Sequence, residues 1–140
     1  LLIKSIKKKP TLGICIGMQI LGLSSTEGKK HGLGILKHKY TKLKQTNLLQ
    51  NKVPNTGYRK VEHNNKMSIF KDIPSDTFFY FNHSYGLKFN NFNSLNYAKT
   101  EHNFEFVSAF EIGNIFGTQF HPEKSKAQGI KLISNFFEFK

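Results

Sequence analysis

The pattern of apolar and polar positions predicts short strands separated by polar connections, with helices near both ends of the chain. The predicted helices span residues 1–7, about 16–24, and 125 to about 139. The predicted strands span residues 11–15, 32–40, 53–62, 77–81, 96–101, 106–112 and 115–120, and residues 42–52 form a polar connection.

Three features of this pattern predict how the elements pack. The strand at 11–15 is apolar throughout, as in a parallel sheet covered on both faces. The strands at 106–112 and 115–120 are split by Gly-Asn, which predicts a hairpin. Ser125 is expected to cap the final helix, with its apolar face formed by Ile130, Ile133, Phe136 and Phe137. The high strand content indicates a three-layer α/β domain with an added antiparallel section.

Composition narrows the class of protein. A chain of 140 residues is one domain, and its 14 phenylalanines are interpreted as core rather than as a platform for stacking bases. The net charge of +12 comes almost entirely from scattered lysines. Specific nucleic-acid recognition favours arginine, and Arg59 is the only one, so we expect no nucleic-acid partner.

Localisation and cofactors are also constrained. No apolar run approaches the roughly 20 residues that span a bilayer, and the first residues do not resemble a signal peptide. A single cysteine suits a reducing, cytoplasmic compartment. Neither a second cysteine nor a histidine pair at ligand spacing suggests a metal, so we expect no metal and no cofactor.

The single cysteine, Cys15, lies between Gly13 and Gly17 at the spacing G-x-C-x-G. A strand before it and a helix after it give the pattern of a nucleophile elbow. Both glycines are expected to be required, because a side chain there would collide with the adjoining strand and helix. The helix N-terminus would favour the thiolate. The alternative is a buried structural cysteine.

A second motif, F-G-T-Q-F-H-P-E-K-S, occupies residues 116–125. His121 and Glu123 are two apart on an extended segment, so both can face one side. A cysteine nucleophile needs a base, and the base needs a group that holds its tautomer. His121 and Glu123 fit these roles with Cys15. Separately, they could be a backbone-bonded histidine and a helix-start carboxylate.

The G-x-C-x-G-x-Q elbow and the downstream H-P-E together resemble the catalytic set of class I glutamine amidotransferases. The segments that begin at His31 (H-G-L-G-I-L), Lys52 (K-V-P-N-T-G-Y) and Phe79 (F-Y-F-N-H-S-Y) are similar to the glutaminase subunits of imidazole glycerol phosphate synthases. The likeness runs from about Pro10 to the C-terminus. It implies a flavodoxin-like, three-layer α/β fold with a central, mostly parallel sheet. It also implies that residues 1–140 form one glutaminase domain without its first βα units.

The resemblance implies hydrolysis of glutamine to glutamate and ammonia through a thioester. Cys15 would attack the amide, His121 would move the proton, and Glu123 would orient His121. The backbone N–H of Ile16 would bind the oxyanion. A second oxyanion donor would come from a glycine-rich loop that the chain does not contain.

Further positions carry over for the substrate. Gln19, one helical turn beyond Cys15, and the backbone of Ser84 and Tyr85 match the positions that bind the amino-acid end of glutamine. His83 is a possible second base, but a structural role is favoured.

The resemblance also implies a partner, because ammonia must reach an acceptor without escaping into water. In the family this partner is a (β/α)8-barrel cyclase, bound as a heterodimer. Tyr58, Tyr80 and Lys124 match interface positions. Tyr58 stands where the family usually has tryptophan, and Asn82 stands where it usually has an apolar residue. These departures affect the identity of the partner more than the hydrolysis of glutamine.

Three interpretations therefore remain open. The first is a glutaminase of histidine biosynthesis. The second is a paralogue that supplies ammonia to a sugar amidotransferase of surface polysaccharide synthesis. The third is an inactive, truncated remnant that only binds a partner. With one oxyanion donor and the flanking strands missing, the chain alone is expected to have little activity.

Overall fold

A computed structural model describes residues 2–6, 8–44, 52–64, 66–88, 96–102 and 104–139 of the protein. Its helices are α1 (Leu2–Ile6), α2 (Ile16–Leu21) and α3 (Lys126–Glu138), with 3-10 turns at Ser68–Phe70 and Pro122–Lys124. Its strands are β1 (Thr11–Ile14), β2 (Ser24–Ser25), β3 (Lys39–Lys42), β4 (Asn55–His63), β5 (Thr77–His83), β6 (Tyr85–Lys88), β7 (Asn96–Glu101), β8 (Glu105–Ile112) and β9 (Ile115–Thr118).

The sheet forks along β8. One edge of β8 pairs with β7. The other edge pairs with β9 over Ala109–Ile112 and with β6 at Phe106 and Val107. Beyond β9 lies β1, in parallel register, and beyond β6 lies β3. The two arms therefore separate beside Ser108, between the segments that hold β9 and β6.

Both faces of the sheet are covered, which gives the three layers that the sequence predicts. Along β8, Phe106 and Ala109 belong to the core on the α3 side, whereas Val107 and Phe110 belong to the core on the α2 side. Met18 and Leu21 of α2 join the second core, and Leu132 of α3 joins the first, with many of the phenylalanines. The predicted α/β class is confirmed, but the expected mostly parallel sheet is instead mixed. Of the described strand pairs, β1–β9 and β2–β3 are parallel and the others antiparallel.

Some boundaries differ from the prediction. Residues 32–38 do not continue a strand, because their N–H groups bond to carbonyls at the end of α2: Leu33 to Ile20 and Leu36 to Leu21. For the same reason α2 ends at Leu21 rather than near residue 24. The predicted connection at 42–52 lies largely outside the described residues. The predicted hairpin is present, and Gly113 has the positive φ of 57° that its turn requires.

The inward face of α3 was wrongly predicted in part. The residues of α3 that are buried are Gly129, Leu132 and Asn135, whereas Ile130 and Phe137 are 70% and 78% exposed. The Asn135 side-chain amide donates to the Ile69 and Lys71 carbonyls, so this polar residue faces the 3-10 turn. The rotation of α3 about its axis is therefore set by the Asn135 hydrogen bonds and by the close packing at Gly129, and not by the positions of its apolar residues.

Candidate active site

Cys15 occupies a strained turn between β1 and α2. Its φ of 52° and ψ of −106° lie outside the regions that residues with a side chain normally adopt. Its N–H donates to the Thr118 carbonyl at 2.7 Å, which ties the turn to β9. A Cβ at Gly13 would lie 2.7 Å from the Gly17 backbone, so Gly13 is required as predicted. A Cβ at Gly17 would meet no described atom within 4 Å, so the prediction of crowding there was wrong.

The ends of two parallel strands bring the candidate nucleophile and base to one edge. Ile14 of β1 is paired with Thr118 of β9, so Cys15 and the segment that leads to His121 leave the sheet at the same edge. This edge is also where β9 and β6 diverge. Crevices at the carboxyl ends of strands, at such a divergence, are where open α/β sheets bind ligands.

His121 is held by both its backbone and its ring. Its Nδ1 lies 2.6 Å from Oε1 of Glu123, as the two-residue spacing predicts. Its N–H donates to the Tyr80 carbonyl of β5. The hydroxyl of Ser125 donates to the His121 carbonyl and accepts from the Tyr80 N–H, so it joins the two segments instead of capping α3 as predicted. With Nδ1 bonded to the carboxylate, Nε2 of His121 is left to exchange protons.

The Cys15 thiol has three hydrogen-bond partners among the described residues, Asn82, Gln119 and the N–H of Ile16, and His121 is not one of them. Its Sγ lies 3.8 Å from the Asn82 carbonyl and 3.7 Å from Nε2 of Gln119. Burial raises the pKa of this thiol, while N–H donors from Ile16 and Gln119 lower it. These N–H donors act in the direction expected of the helix N-terminus, but desolvation outweighs them. A base is needed to take the proton.

Gln19 points its side chain back toward the thiol and toward the start of β6. Its Nε2 has two acceptors, the Tyr85 carbonyl and Oε1 of Gln119, each at 3.4 Å. Its Oε1 is buried with no hydrogen-bond partner among the described residues. A buried, unpaired amide oxygen beside a nucleophile is an open acceptor for a ligand N–H. The predicted substrate residues Gln19, Ser84 and Tyr85 thus lie together.

His83 has no free ring nitrogen. Its Nδ1 lies 2.7 Å from the Tyr85 carbonyl and its Nε2 lies 2.9 Å from Nδ2 of Asn55. Since a carbonyl can only accept, Nδ1 carries the proton and Nε2 accepts from Asn55. Burial lowers the pKa of His83 to about 4. These contacts agree with a structural role for His83 rather than with a second base.

The predicted interface residues form one surface cluster beside His121. The Tyr58 and Tyr80 rings meet edge to face at 5.6 Å, and the Tyr58 hydroxyl donates to the Lys124 carbonyl. The ammonium of Lys124 lies 5.9 Å from the Tyr80 ring, and that of Lys126 lies 5.2 Å from the Tyr58 ring. We call these four residues the tyrosine–lysine cluster.

Sequence reasoning missed Gln119 and Asn55 and gave Ser125 a different role. Gln119, Ser125 and Asn55 contact the candidate thiol, base segment and His83, respectively. Gln119 and Ser125 lie inside the 116–125 motif, so their place in it was a usable signal. Asn55 comes from a strand distant in sequence, and nothing local marks its partner.

The described residues show neither a metal site nor a membrane-spanning helix. They contain no group of three or more His, Cys, Asp or Glu side chains that could hold a metal ion. Within the same ranges, no helix is long and apolar enough to cross a membrane.

The sequence of the chain matches one protein family and several known relatives. The family described as glutamine amidotransferase class-I matches residues 1–139. Imidazole glycerol phosphate synthase subunit HisH 2 of Methanococcus maripaludis is 39% identical over 132 residues, covering 94% of this chain and 64% of that protein. Subunit HisH of Methanocaldococcus jannaschii is 42% identical over 130 residues, covering 92% and 63%. The chain therefore spans a little under two thirds of these relatives.

Solved structures agree on the fold. A glutamine amidotransferase from Thermotoga maritima superposes with a TM-score of 0.59 at 22% identity, covering 98% of this chain and 51% of that one.

Proposed function

This chain belongs to the class-I glutamine amidotransferase family, and from that membership we propose that it is the glutaminase part of an imidazole glycerol phosphate synthase. In that role it hydrolyses glutamine to glutamate and ammonia, and the ammonia passes to a cyclase partner in histidine biosynthesis. The proposal is carried by one observation: Cys15 and the segment with the His121–Glu123 pair follow two paired strands at the same sheet edge. Gln119 links the Cys15 thiol to Gln19, whose amide oxygen is unpaired.

The proposed chemistry begins at the thiol. His121 takes the proton from Cys15, and the sulfur attacks the side-chain amide carbon of glutamine. His121 then protonates the departing ammonia and activates water to hydrolyse the thioester. Glu123 fixes the imidazole tautomer and stabilises its cation. The raised pKa of the thiol supports this order, because the sulfur depends on a base.

The proposed contacts with glutamine follow from the unpaired side-chain oxygen of Gln19 and from the nearby backbone. The Oε1 of Gln19 accepts from the α-ammonium of glutamine, and the backbone at Ser84 and Tyr85 aligns the same end of the substrate. The Ile16 N–H, which points at the Cys15 sulfur, contributes to the oxyanion hole.

The partner is proposed to dock on the tyrosine–lysine cluster. Its position next to His121 supports docking at the exit of ammonia, and its two ammonium groups suit a partner surface that carries carboxylates. Tyr58 and Asn82 depart from the family pattern on this surface. For that reason the second candidate remains the supply of ammonia to a sugar amidotransferase.

One experiment tests the reaction and the partner together. The full chain is mixed with the barrel cyclase of its own organism, or with a sugar-pathway synthase, and glutamate release and product synthesis are measured. We expect glutamine-dependent synthesis with the cyclase, and Cys15→Ala should abolish it while ammonia-dependent synthesis survives. Full glutamine-dependent turnover by Cys15→Ala would remove Cys15 from the mechanism, and activation by the sugar-pathway synthase alone would select the second acceptor.

A further inference from the structure

Gln119 has a fully buried side-chain amide that contacts both Cys15 and Gln19. None of its surface is exposed, although it follows β9 directly and precedes the buried Phe120. Burying a side-chain amide is unfavourable unless its polar atoms are paired. Here they are paired with Cys15 and with Gln19, the residues to which the proposed function assigns attack and substrate binding.

The backbone of Gln119 is fixed at the fork of the sheet. Between β7 and β8 the register changes from Ala98–Ala109 to Lys99–Val107, so Ser108 is the extra residue of a β-bulge. The Ser108 carbonyl accepts the Gln119 N–H at 2.8 Å. The bulge thus fixes the position of the Gln119 backbone, from which the side chain extends to Cys15.

The directions of both amides follow from their partners. Nε2 of Gln19 lies between two acceptors, the Tyr85 carbonyl and Oε1 of Gln119, so this end of Gln19 is the donor. With its Oε1 engaged, Gln119 presents Nε2 to the Cys15 sulfur. As a consequence, Oε1 of Gln19 is the atom left unpaired for a ligand.

We propose that Gln119 is a positioning residue of this site: its Oε1 directs the amide of Gln19, and its Nε2 holds and stabilises the Cys15 thiolate. The inference rests on the proposed function for the role of Gln19. Its effect on the sulfur stands on geometry that needs no substrate. A donor N–H favours the charged form of the thiol, in the same direction as the contribution of the Ile16 N–H.

Two variants separate the two contacts. Gln119→Met removes both at nearly constant size and shape. Gln119→Glu keeps an oxygen that accepts from Gln19 but loses the N–H that faces Cys15. The matched control is Asn135→Leu, which removes another buried amide with two hydrogen bonds, on α3 and away from the thiol. Melting temperatures of all variants are measured first, to show that each is folded.

The primary measurement is the rate at which iodoacetamide alkylates Cys15 as a function of pH. We expect the midpoint to move to higher pH in both Gln119 variants and to stay in place in Asn135→Leu. Glu123 and Lys124, the charged residues that act on the thiol, are unchanged in all of them. Because Gln119→Glu adds a carboxylate that itself raises the pKa of the thiol, the midpoint of Gln119→Met decides the contact with sulfur. A midpoint that stays in place in a folded Gln119 variant, or that moves equally in the control, overturns the proposal.

Steady-state kinetics with glutamine, measured in the presence of the cyclase partner, test the second contact. We expect kcat/KM to fall roughly tenfold or more in Gln119→Met, with KM raised and kcat lowered. Gln119→Glu should lower kcat with a smaller change in KM, and equal KM changes in the two variants would contradict the role of Oε1. If the parent protein mixed with its cyclase partner releases no glutamate, the proposed function fails, and the alkylation profile still decides the contact with sulfur.

Discussion

Gly129 of α3 lies against the carbonyl oxygen of Pro122 so closely that a Cβ atom at Gly129 would overlap that oxygen. This contact seats the turn that carries His121 and Glu123 on the last helix. The Gly129 N–H also donates to the Ser125 carbonyl. The final helix therefore determines the position of the base segment, although none of its side chains reaches the thiol.

Gly129→Ala is expected to destabilise the protein by about 1–3 kcal/mol, because the added methyl group must displace the turn. Helix propensity alone predicts the opposite sign, a gain of about 1 kcal/mol. Urea unfolding decides the sign, and glutamate release measures the displacement of His121. Gly28→Ala is the control, since a Cβ there meets no described atom within 4 Å. A stabilised, fully active Gly129→Ala protein would disprove the contact.

The His121–Glu123 pair predicts unequal losses of activity. His121→Ala should lower kcat by about 10²–10⁴-fold, because it removes the base. Glu123→Gln should lower kcat substantially but less, because it removes only the group that orients the base. Glu138→Gln, on the exposed face of α3, serves as the control. If Glu123→Gln leaves both kcat and stability unchanged, the Glu123 carboxylate has no part in the mechanism and is only a residue of the turn before α3.

Acidification should weaken the fold through His83. Burial lowers the pKa of His83 to about 4 in the folded protein, whereas an unfolded histidine has a pKa of about 6.5. Between these values the unfolded state binds more protons, so stability falls as pH decreases from about 6.5 to about 4, by up to about 3 kcal/mol. The lost stability is fully present above pH 6.5.

His83→Gln removes this titration and should flatten the dependence of unfolding free energy on pH. Burial also lowers the pKa of His63 and His102. Because His102 and His121 interact electrostatically with His83, the difference between the two curves reports the titration of His83 together with this coupling. Parallel curves from pH 4 to pH 7 would show that His83 is not the group responsible.

The strained backbone of Cys15 predicts that the nucleophile lowers stability. With φ at 52° and ψ at −106°, a residue with a Cβ stores about 1–3 kcal/mol. Cys15→Gly relieves this strain and Cys15→Ala does not, while both remove the sulfur. We expect the glycine variant to have the higher melting temperature of the two, and equal values would mean that the turn is unstrained.

Local signals explain most of what the sequence predicted correctly. The elbow around Cys15, the His121–Glu123 pair and the hairpin at Gly113 each depend on residues within a few positions of one another. Strand β6 was missed because it follows β5 after a single residue, Ser84, with no turn signal between them. The partners of Gln119 and His83 could not be predicted, because strand order alone brings them together.

The arrangement of β1 has a consequence for the order in which a newly made chain assembles the candidate site. Among the described strands, β1 pairs with β9, and Cys15 precedes Gln119 by 104 positions. At ~5–20 residues per second, translation takes roughly 5–20 s to make the intervening segment. Throughout that interval Cys15 has neither its neighbouring amide nor the candidate base His121. The candidate site therefore cannot assemble on the ribosome until the segment that carries His121 has emerged.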